Sequence, residues 1–147
     1  MSTVRRLLET KGKFIWTTPP NASVFDALKL MANKDVGALV VVDDSRLVGI
    51  VSERDYARRI ILEELPPRKT KVEEIMTSKV ITVHPEQTIQ ECMLIMNKNH
   101  IRHLPVLLDE KVLGVISQGD VVRDLIYQQR KKIQNLEDRL TSNRKVT

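Results

Sequence analysis

Displaced by 65 positions, residues 15–60 of this chain lie on residues 80–125 without a gap. Thr17 meets Thr82, Pro20 meets Pro85, Met31 meets Met96, Leu39 meets Leu104 and Val41 meets Val106. Asp44, Gly49, Ser52, Asp55 and Arg58 meet Asp109, Gly114, Ser117, Asp120 and Arg123. These ten identities compare with about three expected by chance from average composition. A repeat of this length is one structural unit that buries its apolar face against its copy. Two copies predict a two-fold cleft, and that cleft is where function is expected.

Each copy reads as strand, helix, strand, strand, helix. In the first, residues 15–18 are extended and stop at Pro19-Pro20, which disfavour helix before them. Ser23 caps a helix over 24–33, with Val24, Leu28 and Met31 at helical spacing. Residues 36–42 are a nearly continuous β-branched apolar run, the pattern of a strand buried on both faces. A turn at 43–46 leads to a strand over 47–51, and Ser52 then caps a helix to about residue 62. The second copy repeats this with a short strand at 80–83, a helix over 89–97 capped by Thr88, strands at 101–108 and 111–116, and a last helix from Ser117. The division predicted is a lead-in helix at 1–14, a first repeat at 15–62, a linker with a short helix at 63–79, a second repeat at 80–127 and a basic helix at 128–147.

The length suffices for one compact domain with a real core. Hydrophobic residues at 41% and charged residues at 29% are ordinary for a soluble globular chain. No apolar run approaches the length that spans a bilayer, and residues 1–13 lack the apolar stretch of a secretory signal. The single cysteine, Cys92, excludes an internal disulfide framework and fits a reducing compartment, so a cytoplasmic protein is expected. Cys92 aligns with Ala27 and reads as a buried small hydrophobe. Met31, Met76, Met93 and Met96 read as core filler, and His84 and His100 as surface residues. The histidines have no ligand-like spacing with Cys92, so no metal site is expected.

Most of the net charge of +5 lies beyond residue 122, where seven Lys/Arg face three Asp/Glu. The repeat core is therefore close to neutral, and aromatics at 3% offer no stacking platform for single strands. Nucleic-acid binding through the basic tail remains the alternative reading. Within that tail Val122, Ile126, Gln129, Ile133, Leu136 and Leu140 alternate at spacings of four and three, an a/d seam with one polar position. The seam fits either a helix lying on its own domain or one pairing with another subunit.

Each copy ends with a turn acid, an apolar pair, Gly, an apolar pair, Ser and then Asp three residues on. These are Asp44, Leu47-Val48-Gly49-Ile50-Val51-Ser52 and Asp55, then Asp109, Val112-Leu113-Gly114-Val115-Ile116-Ser117 and Asp120. This pattern resembles the tandem cystathionine-β-synthase-type (CBS) domain pair, or Bateman module, over about residues 13–127, and the chain is similar to the small stand-alone members. The resemblance implies an α+β fold of two β-α-β-β-α repeats packed sheet to sheet about a pseudo-two-fold axis. It also implies clefts for adenosine-containing ligands such as AMP, ATP, NAD or S-adenosylmethionine.

By the same resemblance Asp55 and Asp120 are the ribose contacts, since a carboxylate accepts two hydrogen bonds from a vicinal diol. Ser52 and Ser117 start the helices beside them. Adenine is expected between the first two strands of a copy, at 15–18 with 36–39 and at 80–83 with 101–105. There Thr17, Val36 and Gly37, and Val80, Thr82 and Pro105, are the candidate contacts, with Ile15 and Ile101 adding apolar surface. Arg102 and His103 sit where family members place phosphate contacts, while copy one has Gly37 and Ala38, so the clefts are not equivalent. Arg54 and Arg58 are further phosphate candidates, the guanidinium fork being matched to phosphate.

No Gly-rich phosphate loop, nucleophile elbow or Cys/His metal set is present in the sequence, so no enzyme is expected. The function expected is a regulatory adenine-nucleotide sensor acting on a protein partner, with a non-binding dimeric scaffold as a further alternative. A homodimer is expected, covering an apolar face formed by Val24, Leu28, Ile60, Ile89, Met93 and Leu125.

Overall fold

The computed structural model describes residues 2–12 and 14–145. Helix α1 (Val4–Lys11) precedes the first repeat, which is β1 (Thr17–Thr18), α2 (Val24–Lys34), β2 (Ala38–Asp43), β3 (Arg46–Ser52) and α3 (Glu53–Asp55). Helix α3 continues as a π-helical stretch over Tyr56–Ile61. After α4 (Val72–Ile75) the second repeat is α5 (Ile89–Asn99), β4 (His103–Leu108), β5 (Lys111–Ser117) and α6 (Gln118–Lys145). Ser23 and Thr88 cap α2 and α5 with their side-chain oxygens, the economical way to satisfy orphan N–H groups.

In each copy the second and third strands form a hairpin in the same register, Ala38 opposite Ser52 and His103 opposite Ser117. Both hairpins turn through two residues of positive φ, Asp44-Ser45 and Asp109-Glu110, the backbone that matches strand twist in a two-residue loop. Strand β1 adds in parallel, Thr17 beside Val40 and Thr18 beside Val41. The expected strand at 80–83 is reduced to one bridge, Val83 with Val106. The counterpart of the Thr17–Val40 pair is Thr82–Pro105, and Pro105 has no N–H to give the ladder.

The two copies own separate cores. Val24, Met31, Leu39, Val41, Val51 and Ile60 pack in the first, Ile89, Cys92, Met96, Leu104, Val106 and Ile116 in the second. Val40 alternates with Leu39 and Val41 on β2, lies outside both cores and is fully buried, on the face where the two sheets pack against each other.

The short helices cross over. Helix α1 precedes the first repeat but puts Val4 and Leu7 into the second core, and α4 precedes the second repeat but puts Val72 and Ile75 into the first. Their anchoring is equivalent: Val4 N–H donates to Gln87 O and Arg5 N–H to Pro85 O, while Val72 N–H donates to Ala22 O and Glu73 N–H to Pro20 O. Val4 thus matches Val72, an offset of 68 instead of 65. From Val4 to Thr17 the chain is three residues longer than from Val72 to Thr82, and the added length goes into α1, the longer helix.

The apolar face anticipated for a partner differs in the structure. Val24, Ile60 and Ile89 are buried within their own repeats, because the crossing helices α1 and α4 complete those cores. Exposed apolar surface lies instead along α6, at Val122, Ile126, Tyr127, Ile133, Leu136 and Leu140, and at Ile61, Leu62 and Leu94. Helix α6 runs on past the second core, and every residue from Gln129 to Asn143 is exposed. No helix of the described residues is long and apolar enough to cross a membrane.

Candidate functional site

The ends of β3 and β5 deliver the same device twice. Ser52 Oγ accepts from Asp55 N–H at 3.2 Å, and Asp55 Oδ2 accepts from Ser52 N–H at 2.9 Å and from the Ser52 hydroxyl at 3.1 Å. Ser117 Oγ accepts from Asp120 N–H at 3.1 Å and Asp120 Oδ2 from Ser117 N–H at 2.8 Å. Each Ser-x-x-Asp is a reciprocal capping box. The cap holds each carboxylate at a helix start, where the dipole favours its charge.

Beyond the cap the two carboxylates differ. Among the described residues no cation pairs with Asp55. Asp120 is held by two, Lys11 Nζ at 2.6 Å and Arg123 at 2.7 Å, and only 10% of its side chain is exposed. Burial would raise the Asp120 pKa, but the hydrogen bonds from Lys11 and Ser117 outweigh it and hold the carboxyl below the usual aspartate range. Arg123 reaches its carboxylate because an α-helix brings residue i+3 over residue i. Arg58, its repeat mate, follows Asp55 in the π-helical stretch, where Leu62 N–H bonds to Ala57 O and the wider winding breaks that registration.

Asp55 faces a cleft of about 460 Å³ between the two copies. One wall is the first copy's Gly37, Ile50, Ser52 and Arg54; the other is the second copy's Val80, Ile81, Ile101 and Arg102. Apolar surface comes from Ile50, Val80, Ile81 and Ile101, and cations come from Arg54, Arg58, Lys79 and Arg102. Arg54 Nη1 donates to His100 O at 2.8 Å and so ties the copies together at the rim. His103 is half-buried against Gly37, where a Cβ at residue 37 would stand 3.2 Å from its Nε2. Burial first, then Lys11, Arg102 and Arg54, lower its pKa against the pull of Asp120, so the imidazole is neutral at pH 7.

Nine of the candidate residues meet at this cleft: Gly37, Ser52, Arg54, Asp55, Arg58, Val80, Ile101, Arg102 and His103. Thr17, Val36, Thr82, Pro105 and Ser117 lie outside its lining, Pro105 buried within β4. Asp120 lines a different hollow of about 420 Å³ between α1 and α6, with Arg6, Lys11, Asp124 and Tyr127. The carboxylate of one copy thus faces the adenine-type segment of the other, an assignment that the aligned copies leave open. Lys79 lies outside the expected segments, although it flanks Val80 and completes the wall, while Ile81 falls within the expected 80–83 segment but not among its candidate contacts. Among the described residues no group of three or more His, Cys, Asp or Glu side chains is placed to hold a metal.

A β-α-β-β-α copy and a second whose first strand is reduced to a single bridge close an apolar and basic cleft between them and define a two-repeat module with the cleft as its site. The model of the CBS domain matches residues 12–62 and 72–127. The chain belongs to the CBS domain family, and pairs of these domains are regulatory modules. It is similar to the mitochondrial CBS domain-containing protein CBSX3 of Arabidopsis thaliana, 41% identical over 145 residues that cover 92% of this chain and 70% of that one. Two relatives from Methanocaldococcus jannaschii are longer, and the chain spans 57% and 36% of their lengths. A putative signal-transduction protein with CBS domains from Burkholderia ambifaria superposes with TM-score 0.80 at 48% identity, over 86% of this chain and 93% of that one. The CBS domain pair of protein MJ0100, solved with 5-methylthioadenosine and S-adenosyl-L-methionine, superposes with TM-score 0.77 at 28% identity, over 87% of this chain and 98% of that one.

Proposed function

We propose that the chain is a regulatory sensor of an adenine nucleotide (AMP, ATP or NAD), without catalysis of its own, and that the Asp55 cleft is the binding site. The observation that carries this reading is the unpaired Asp55 carboxylate facing a cleft with one apolar and one basic region. The ribose diol donates to Asp55, the adenine lies against Val80, Ile81 and Ile101, and the phosphates point to Arg54, Arg58, Lys79 and Arg102. His103, neutral at pH 7, serves as a hydrogen-bond donor and not as a cation. The adenosine compounds bound by the MJ0100 domain pair support the ligand class. Four cations against Glu53 and Asp55 favour phosphates over a cationic sulfonium.

Occupancy would be passed to a protein partner through the Arg54–His100 tie between the copies, and a homodimer paired through the α6 seam would present that signal. The buried lone thiol of Cys92 is compatible with the cytoplasm as compartment. Isothermal titration with adenosine, AMP, ATP, NAD and S-adenosylmethionine tests the reading. The expected order places phosphorylated ligands above adenosine and S-adenosylmethionine, with Asp55→Asn weakening all of them. Absence of heat with all five at millimolar concentration would overturn it in favour of the non-binding scaffold.

A further inference from the structure

The repeat equips both copies with a ribose-type carboxylate, but among the described residues only Asp55 has no cation partner. Lys11 is the cause of the difference at Asp120. The three additional residues ahead of β1 carry α1 through a further turn past its Leu8 anchor, until Gly12 at φ +103° ends it. In the other half, α4 stops at Ile75, and Thr77 instead makes a backbone bridge with Ile50, donating N–H to Ile50 O at 2.9 Å. Val115 is the repeat mate of Ile50. Its carbonyl accepts not from a backbone N–H but from Lys11 Nζ at 2.7 Å, and the same ammonium donates to Asp120 Oδ2 at 2.6 Å. Arg123 donates to Oδ1 and Ser117 N–H also to Oδ2, so three of the about four acceptor sites of that carboxylate are taken and a diol, which needs two, finds one.

The neighbouring surface is also altered. Trp16 is the repeat mate of the cleft residue Ile81. It stacks on Phe14 with ring centroids 6.2 Å apart and carries the Lys34 ammonium 4.4 Å from its centroid.

We propose that Lys11 is the chain's own occupant of the second ribose position and sets the stoichiometry at one nucleotide per chain, bound at Asp55. This rests on the reading of the Asp55 cleft given above. A ligand at Asp120 would have to displace an ammonium that also satisfies Val115 O, so it competes with an intramolecular partner always present at high effective concentration.

The test is calorimetric titration of ATP, AMP and NAD into four forms of the full chain: wild type, Asp120→Asn, Lys11→Met and Lys11→Arg. The wild type is expected to bind one equivalent, and Asp120→Asn to leave both stoichiometry and affinity unchanged. Lys11→Met should open a second site, tightening binding there by at least about tenfold to a second measurable equivalent, and Lys11→Arg should keep it closed. Asp120→Asn added to Lys11→Met should abolish the new site. A wild type with two comparable sites, one lost in Asp120→Asn, overturns the role of Lys11 and leaves the Asp55 reading standing. A Lys11→Met protein that folds, by an unchanged circular dichroism spectrum, and still binds one equivalent also overturns it. If Lys11→Met does not fold, the Asp120→Asn result decides. No binding by any form removes the Asp55 reading together with this inference.

Discussion

Leu8 packs so closely on Gly114 that a Cβ there would stand 2.8 Å from Leu8 Cδ2. The contact seals α1 to the second repeat, and its counterpart is Met76 on Gly49. There a Cβ would meet Met76 Sδ at 2.5 Å and the Thr77 carbonyl oxygen at 3.0 Å. A side-chain tip can rotate away and a carbonyl held by a backbone bridge cannot. Gly49→Ala is therefore expected to cost about 1–3 kcal/mol and Gly114→Ala less. Gly119→Ala meets the end of the long Arg123 side chain at 3.3 Å and Ser117 Oγ at an ordinary 3.7 Å, and on helix propensity it should be neutral or stabilising. Urea midpoints of the three variants check this order.

The crossing of α1 makes a second prediction. Leu7 is 5% exposed and sits in the second core with Val83, Ile89 and Val106. Leu7→Ala should cost roughly 2–4 kcal/mol, and the lost protection should fall on β4, β5 and α5 although residue 7 precedes the first repeat. Native-state hydrogen exchange reads this directly. Loss of protection confined to β2 and β3 would contradict the crossing.

Much of this arrangement was legible in the sequence. The ten identities fixed the two hairpins, and the β-branched run from Val36 gave the buried strand. The capping pairs Ser52–Asp55 and Ser117–Asp120 gave the helix starts. What escaped follows from interactions that no single-copy pattern encodes. Val4 and Leu7 carry the same apolar spacing as Val72 and Ile75, so nothing local says which core receives which pair. The offset of 65 hides the offset of 68 that governs α1, and with it the reach of Lys11 to Asp120. Pro105 does announce the loss of a ladder donor, though only once its parallel neighbour is known. The π-helical winding after Asp55 has no compositional mark in Tyr56-Ala57-Arg58-Arg59.

The ionisation states give a pH signature. The Asp120 carboxyl is depressed in the folded chain, so its contribution to stability is present above the unfolded value of about 4 and is lost as pH falls through the lower folded value. Lys11→Met removes the leading cause of the depression and should bring acid unfolding to higher pH. His103 works in the other direction. Its folded pKa lies below the ordinary value of 6.5, so below about pH 6.5 the unfolded chain binds a proton that the folded chain refuses. Stability should fall as pH drops below about 6.5, and His103→Gln should flatten that fall. Thermal melts from pH 4 to pH 8 separate the two effects.

Cys92 is fully buried in the second core, and burial, with the Glu91 charge adding to it, pushes its thiol up to about 11. The thiolate is the reactive form, so the native thiol should be inert at pH 8. A chromogenic disulfide reagent is expected to modify it only at the rate of unfolding, with full reaction in urea. Prompt stoichiometric labelling of the native chain would show that α5 does not seal the core as described.

The last prediction concerns α6. Ile126, Ile133, Leu136 and Leu140 are 47%, 54%, 51% and 62% exposed on one continuous helix, at the a/d spacing that a second helix buries. Each leucine or isoleucine covered there contributes up to about 1.5–3 kcal/mol, enough over two seams to hold a dimer at micromolar concentration. A charge at the centre of the seam should undo it, because an aspartate at an a position is desolvated without a partner. Ile133→Asp is therefore expected to convert a species near 34 kDa, twice the 16.9 kDa chain, into a monomer in sedimentation velocity. The Asp55 cleft takes no residue from α6, so nucleotide affinity should stay within a few-fold in the same variant. A wild type that sediments as a monomer at tens of micromolar would show that the seam has no second copy as its partner.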